Sequence, residues 1–269
     1  MLVPKSTSFS EKFFYLAIVF ALLFSVYFRF TDPLSGSVAD DEIVTMISAI
    51  KLNISHPAYD PRLYVSTHPY LGKWLMASII DKDADYTNIK AMPKDAPGDW
   101  RLSYLTVKEV KNQEMRIRFI SALFGILALI PVFLIGRELF GLKTGLLSAA
   151  LVGLWSGFIN LSRLQYQDAT LPFFFFFSVY FQILFLKQPE QGKLFSKETL
   201  FLFGVLVFLY LCFLIRIGQP LFLLASVVIC ILLKNRLKTK ILGFLGVVAS
   251  IVFAVFSIGI DPIKILIEY

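Results

Sequence analysis

Residues 119–136 read FISALFGILALIPVFLIG, a run of 18 residues without a charged side chain. A helix needs about 20 mostly apolar residues to cross the hydrocarbon core of a bilayer, so this run nearly suffices by itself. Six further apolar runs flank it: residues 13–30, 144–159, 171–186, 200–215, 220–233 and 241–258. The shorter ones need some boundary residues to complete a crossing. The pattern predicts an all-α integral membrane protein with about seven transmembrane helices.

The composition of the whole chain agrees with this prediction. Of 269 residues, 57% are apolar and 17% charged, whereas soluble domains carry about 45–50% apolar and about 25% charged residues. The mean hydropathy is +0.72. With 28 Phe and two Cys, the chain is neither disordered nor a disulfide-stapled scaffold. Because Cys212 and Cys230 fall inside predicted spans, we expect them to pack in the core and not to form a disulfide framework.

The distribution of Lys and Arg predicts the orientation, because cytoplasmic loops are enriched in both. With the N-terminus inside, four cytoplasmic segments hold 11 of the 26 basic residues: Lys5, Lys12, Arg137, Lys143, Lys187, Lys193, Lys197, Lys234, Arg236, Lys238 and Lys240. The opposite orientation would translocate the dense basic run 234–240. We therefore expect a cytoplasmic N-terminus and an outer C-terminus. The net charge of +7 is then explained by topology and by contact with membrane lipids, and we expect no nucleic-acid partner. No small-residue cleavage site follows residues 13–30, which favours a retained anchor over a signal peptide.

The longest polar segment is residues 31–117, which is predicted as the first extracytoplasmic loop and holds 12 of the 19 acidic residues. Within it, residues 43–54 and 70–80 mix polar and apolar positions in the manner of amphipathic helices lying at the membrane surface. Residues 81–99 are rich in Asp, Lys and Pro and predict an exposed loop. We expect the chain to form one membrane module over residues 1–269, with transmembrane helices two to seven in residues 118–260.

The first candidate for chemistry is the acidic run Asp40, Asp41 and Glu42, about ten residues beyond the first span. Carboxylates just outside the bilayer can act as a general base or hold a cation. The alternative is a solvated acidic turn that caps a helix beginning near Ile43, since Asp is favoured at helix N-termini. Residue type alone favours the turn.

The second candidate is residues 68–74, which read HPYLGKW. His68 and Lys73 would place an imidazole and an ammonium at the level of lipid headgroups, where a lipid phosphate would lie. A simple membrane anchor is the alternative, because a Pro at the start of a helix followed by interfacial Lys and Trp suits one.

The third candidate is a set of cations at the outer ends of spans: Arg118, Arg163 and Arg216, with Asp168 close to the second of these. The guanidinium group donates two parallel hydrogen bonds and suits phosphate. The alternative is that Arg163 and Asp168 pair with each other, or that the arginines extend to the interface, which is the usual fate of charges at span ends.

The order of these candidates along the chain resembles that of the membrane-embedded protein O-mannosyltransferases and, more widely, of the GT-C glycosyltransferases that use lipid-linked sugars. That family has an Asp-Glu pair in the first outer loop, a His-Pro-Pro-x-Gly-Lys segment, an Arg-x-x-Ser/Pro-Ala-x-x-Gly start to the second span, and an Arg and an Asp after the third span. The resemblance covers residues 13–185 with motifs. Tyr70 stands where the family usually has its second Pro.

The resemblance implies roles for individual residues. Asp41 looks like the catalytic base that accepts the proton of the acceptor hydroxyl, Glu42 like the residue that orients it, and Asp40 like a supporting carboxylate. Arg118 looks like the essential arginine of the second span, which stabilises phosphate or holds the loop. The remaining residues implied near the donor phosphate are His68, Lys73 and Arg163, with Asp168 in a supporting role.

The resemblance also implies the reaction. A sugar, mannose in the best-known case, would pass from a polyprenyl-phosphate donor to a hydroxyl of an exported protein or a glycolipid, with inversion at the anomeric carbon. No cofactor is implied for the O-mannosyl branch. Other GT-C branches use a divalent cation, and the run from Asp40 to Glu42 does not decide between them.

Two other functions stay open at this stage. The first is a non-catalytic GT-C-like subunit or scaffold, which would suit a chain that ends at Tyr269, shortly after its seventh apolar run. Such a chain can be a minimal module, a fragment, or one subunit of an assembly with a partner membrane subunit. A transporter would need ionisable residues or broken helices at mid-membrane, whereas the charges here concentrate at span ends. The short length favours a prokaryotic cytoplasmic membrane over the endoplasmic reticulum.

Overall fold

The computed structural model describes residues 9–31, 70–80, 108–163, 167–189, 196–216 and 220–257, and its regular structure in these ranges is helical throughout. The first five helices of this part are α1 (Phe9–Phe30), α2 (Tyr70–Ala77), α3 (Lys108–Leu127), α4 (Leu129–Phe140) and α5 (Leu142–Leu154). They are followed by α6 (Ser156–Arg163), the 3₁₀ helix Gln167–Thr170, α7 (Leu171–Lys187), α8 (Lys197–Phe213), α9 (Pro220–Leu232) and α10 (Leu237–Ser257). Helices occupy all seven predicted apolar runs, and α2 occupies the predicted helix at 70–80. The predicted helix at 43–54 and the predicted loop at 81–99 lie outside the described residues.

Length and apolar composition identify three candidate membrane spans among the described helices: Ser10–Phe30, Met115–Phe140 and Leu237–Ala254. A fourth is formed if α5 and α6, which meet at an angle of 61°, count as one bent span. Helices α7 and α9 are apolar but shorter, at 17 and 13 residues. The chain is thus an α-helical multi-pass membrane protein, and the predicted number of seven crossings is not confirmed.

Two boundaries differ from the prediction. Helix α3 begins at Lys108, inside the predicted first outer loop, and continues almost directly into α4. The predicted third span, 144–159, is broken at Trp155, whose extended backbone (φ −64°, ψ 117°) ends α5. The run carries no charged residue, so the sequence pattern predicts one continuous span.

The helices pack in two neighbouring groups. Helices α1, α3, α4, α5 and α6 contact one another, and α7 to α10 form the second group, which joins the first through contacts of α7 with α3 and α4. Aromatic rings line both sides of α7. Phe124 of α3 lies 5.4 Å from Phe173 at the junction of the groups, and Phe177 stacks 5.1 Å from Phe208 of α8 within the second group (ring centroids). Helices α4 and α5 approach closely at Gly136 and Gly145, since a Cβ on Gly136 would lie only 2.8 Å from Gly145 Cα. Small residues commonly allow such close packing between membrane helices.

A buried ion pair ties α7, α8 and α9 together at one end of the second group. The run 234–240 is predicted as a basic loop, but Lys234 is buried, with its Nζ 3.7 Å from Glu198 Oε1. The same ammonium donates to the Gln188 carbonyl oxygen at 2.9 Å and lies 4.8 Å from the Phe185 ring centroid. Lys234 therefore connects the end of α7 with the start of α8, and its side chain is not exposed to a membrane surface.

We predict that Lys234→Met lowers the free energy of unfolding by about 3–5 kcal/mol, because it breaks the buried ion pair with Glu198 by removing one partner. The double variant Lys234→Met with Glu198→Leu should recover most of this loss, since both charges are then gone. Unfolding of each variant is followed by tryptophan fluorescence in detergent micelles. Lys143→Met is the matched control: it removes the exposed pair between Lys143 and Glu11 and should change little. A double variant as unstable as the single one would contradict the prediction.

Candidate functional site

The short helix α6 is the element around which the candidate site is built. It follows the break at Trp155 and contacts α1, α3, α5 and the 3₁₀ helix. Its last residue is Arg163, one of the predicted site residues, and the 3₁₀ helix that contains Asp168 follows shortly after it. The position of α6 therefore decides where the predicted residue Arg163 lies.

Arg118 contacts the end of α6 directly. Its side chain is 3% exposed, and its Nη1 donates to the carbonyl oxygen of Arg163 at 3.1 Å. The last carbonyl groups of a helix have no partner within the helix, and a cationic donor there also favours the helix dipole. Arg118 thus holds the C-terminus of α6, and the predicted residues Arg118 and Arg163 lie together in the fold.

A further buried arginine, Arg29 near the end of α1, contacts the same region but is not part of any of the predicted motifs. It is 1% exposed and among the largest fully buried side chains. Its Nη1 donates to the Ser25 carbonyl at 2.8 Å, to Ser25 Oγ at 2.6 Å and to the Gly153 carbonyl at 2.9 Å. Its guanidinium carbon lies 5.1 Å from the Phe158 ring centroid. In the sequence Arg29 merely closes an apolar run; the one local signal is a serine four residues earlier, on the same helix face.

Two glycines make room for this arrangement. A Cβ on Gly125 of α3 would collide with the Ser162 side chain of α6 and lie 3.2 Å from Arg29 Nε. A Cβ on Gly153 would lie 2.9 Å from Ser25 Oγ. Ser162 is itself fully buried and donates to the Phe158 carbonyl oxygen at 2.6 Å. Small residues therefore stand at two helix crossings, that of α3 with α6 and that of α1 with α5.

The helix that carries Lys73 joins the same assembly. Helix α2 packs against α3 and against the 3₁₀ helix. The fully buried Met76 lies in α2 and the fully buried Ile117 in α3. The backbone N–H of Leu71 donates to the Leu214 carbonyl oxygen just after α8, at 3.0 Å. The elements that carry Lys73 and Asp168 are therefore anchored beside the element that carries Arg118.

The remaining predicted residues divide into two sets. Arg216 follows α8 and is half-buried. Outside the described residues lie Asp40, Asp41, Glu42 and His68. Among the described side chains, no group of three or more His, Cys, Asp or Glu residues could hold a metal ion. Within the described part, Arg118 of α3 and Arg163 of α6 lie together at the end of α6, an arrangement suited to an anionic group, while Arg29 of α1 lies at the break before α6.

An all-helical membrane bundle with buried arginines at one end fits an enzyme that handles a lipid-borne anion. Comparison with protein families gives the particular class: residues 100–258 match the dolichyl-phosphate-mannose-protein mannosyltransferase family. The chain belongs to this family, which indicates glycosyltransferase activity of the mannosyltransferase type. The matched region includes Arg118, Arg163 and Asp168 and begins after Asp41 and Lys73. A comparison with curated proteins finds no match.

We predict that Gly125→Ala lowers the free energy of unfolding by about 1–3 kcal/mol, because the added methyl group collides with Ser162 and overpacks the junction of α3 and α6. The same change in a helix would otherwise be favourable by about 1 kcal/mol. Unfolding in detergent micelles measures the loss, and adding Ser162→Gly should restore part of it.

Gly157→Ala on α6 is the matched control for this prediction. A Cβ there would lie 3.2 Å from the Trp155 ring, which is 64% exposed and not enclosed by neighbouring helices. Equal losses for Gly125→Ala and Gly157→Ala would contradict the collision as the cause.

Proposed function

We propose that the chain transfers a sugar, mannose in the first instance, from a polyprenyl-phosphate donor to a hydroxyl group, that of Ser or Thr on an exported protein. The observation that supports this most directly is the bond between Arg118 and the Arg163 carbonyl. It joins two arginines that match the family's pattern, both inside the region that belongs to the family. Their convergence at one end of a membrane bundle suits a phosphate whose lipid tail stays in the bilayer.

The proposed chemistry is a single displacement. The acceptor oxygen attacks the anomeric carbon and forms the new glycosidic bond, while the bond from that carbon to the phosphate oxygen breaks and its electron pair stays on the phosphate. The proton of the acceptor hydroxyl passes to the carboxylate of Asp41, and the anomeric configuration inverts. Glu42 orients the acceptor or Asp41, with Asp40 in support.

Fixed cations stabilise the charge that develops on the leaving phosphate, because they need no reorganisation during the reaction. In this proposal Arg118 and Arg163 act there together with Lys73 and His68, and Asp168 supports Arg163. Arg118 has a second task, since the same guanidinium holds the end of α6. We place the reaction on the outer side of a prokaryotic cytoplasmic membrane, with the N-terminus in the cytoplasm and α7, α8 and α9 as further crossings.

We predict that Asp41→Asn lowers the rate of transfer by about 10²–10⁴-fold, the usual contribution of a general base. The purified chain in nanodiscs receives labelled polyprenyl-phosphate sugars and a peptide rich in Ser and Thr, with and without EDTA. Asp60→Asn, which neutralises another carboxylate between α1 and α2, is the matched control and should keep full activity.

The outcomes separate the possible functions. Transfer that is lost with Asp41→Asn but kept in EDTA supports a metal-independent transferase with Asp41 as the base. Full activity of Asp41→Asn would refute the assigned base. A wild-type chain that binds the donor lipid but never transfers the sugar would point to a non-catalytic subunit.

A further inference from the structure

The break between α5 and α6 creates a problem of backbone hydrogen bonding. A helix that ends inside a bundle leaves its last carbonyl groups without partners in the helix. In a membrane no water replaces those partners, so the protein itself must supply donors. At this break the carbonyl oxygen of Gly153 accepts its hydrogen bond from Arg29 Nη1 at 2.9 Å, across a separation of 124 residues.

Arg29 contacts both sides of the break. It bonds to Gly153 in the last turn of α5, and its guanidinium carbon packs 5.1 Å from the ring centroid of Phe158 in the first turns of α6. Its own helix position is fixed by Ser25, which accepts from the same Nη1 through its hydroxyl and carbonyl oxygens. One side chain therefore ties α1 to the two helices that meet at 61°.

Stability alone does not account for a buried arginine at this position. Its Nε and Nη2 have no hydrogen-bond partner among the described residues, and each buried unpaired donor costs about 1–3 kcal/mol. Apolar side chains of similar volume are often as stable as buried charges, or more so. Ionisable residues inside membrane segments usually serve a function for this reason.

We propose that Arg29 is a positioning residue of the glycosyltransferase site: it sets the bend between α5 and α6, and through α6 it places Arg163 and the carbonyl that Arg118 binds. Helix α6 is then held by two guanidinium groups, Arg29 at the break before it and Arg118 at its end. The effect on the bend rests on the contacts alone. The effect on catalysis rests in addition on the proposed function.

The bend is tested without any activity measurement. Spin labels are placed at Leu147 and Asn160, which are exposed on α5 and α6, in a chain whose Cys212 and Cys230 are replaced by alanine. Thirteen residues of straight helix would separate these sites by about 20 Å, and the 61° bend shortens the distance. We expect Arg29→Met to lengthen or broaden the distance distribution and Arg29→Lys, which keeps a cationic donor, to preserve it.

The catalytic effect is tested by steady-state kinetics on the chain with its native cysteines. We expect Arg29→Met to lower kcat by about 100-fold, the size that follows from a displacement of about 1 Å in a site. KM for the donor should stay within about 3-fold, since no contact with the bound donor is removed. Arg29→Lys should restore most of kcat.

The matched control is Arg137→Met. Arg137 also packs on a phenylalanine, with its guanidinium carbon 5.6 Å from the Phe133 ring centroid, but it lies near the end of α4, away from the break. This variant should leave both the distance distribution and kcat unchanged. A general effect of losing an arginine from the bundle would change both.

An unchanged distance in Arg29→Met overturns the proposal, and so does a changed distance with unchanged kcat in an active chain. A wild-type chain without transfer activity refutes the proposed function instead, and the spin-label distances then decide whether Arg29 sets the bend. A changed distance, a lower kcat and recovery with Arg29→Lys together support the proposal.

Discussion

Inside a bilayer every peptide group needs a partner from the protein, and this constraint governs the part of the molecule that matters for function. An uninterrupted helix meets it locally. The chain interrupts a helix at Trp155, and two carbonyl groups at the ends of α5 and α6 then receive hydrogen bonds from Arg29 and Arg118. Arg29 and Arg118 thus hold the ends of helices and also carry positive charge. An apolar substitution of either residue changes both the helix positions and the charge.

The close approach of two pairs of helices is the second requirement. Arg118 reaches the Arg163 carbonyl where α3 and α6 cross at Gly125 and Ser162. Arg29 reaches the Gly153 carbonyl where α1 and α5 cross at Ser25 and Gly153. At each crossing the glycine leaves space on its helix, and the serine side chain of the other helix fills it. The Ser25 hydroxyl accepts a hydrogen bond from Arg29, and the Ser162 hydroxyl donates one to the Phe158 carbonyl oxygen. A bundle with larger residues at these crossings would keep its helices and lose the geometry that brings Arg118 to Arg163.

Hydropathy and composition predicted the helical membrane architecture well, because both properties depend on residues close together in sequence. Helices lie at each apolar run, and Arg118 and Arg163 were selected from the order of motifs. The break at Trp155 was missed because the donor for the Gly153 carbonyl before it is Arg29, far away in sequence on α1. Arg29 was missed because in the sequence it is the polar end of an apolar run. Burial of Lys234 depends likewise on Glu198, which pairs with it only in the folded bundle. The assigned carboxylates, Asp41 above all, stay predictions.

The distance along the chain between Arg29 and Gly153 has a consequence for biosynthesis. A ribosome that adds about 5–20 residues per second completes Gly153 roughly 6–25 s after Arg29, since the two are 124 residues apart. During that interval the guanidinium group has no partner from α5. Arg29 is the second-last residue of α1, and there a long side chain can extend to headgroup water. At this position the Arg29 guanidinium group can stay solvated while α1 enters the membrane. It becomes buried once α5 is inserted and packs against α1.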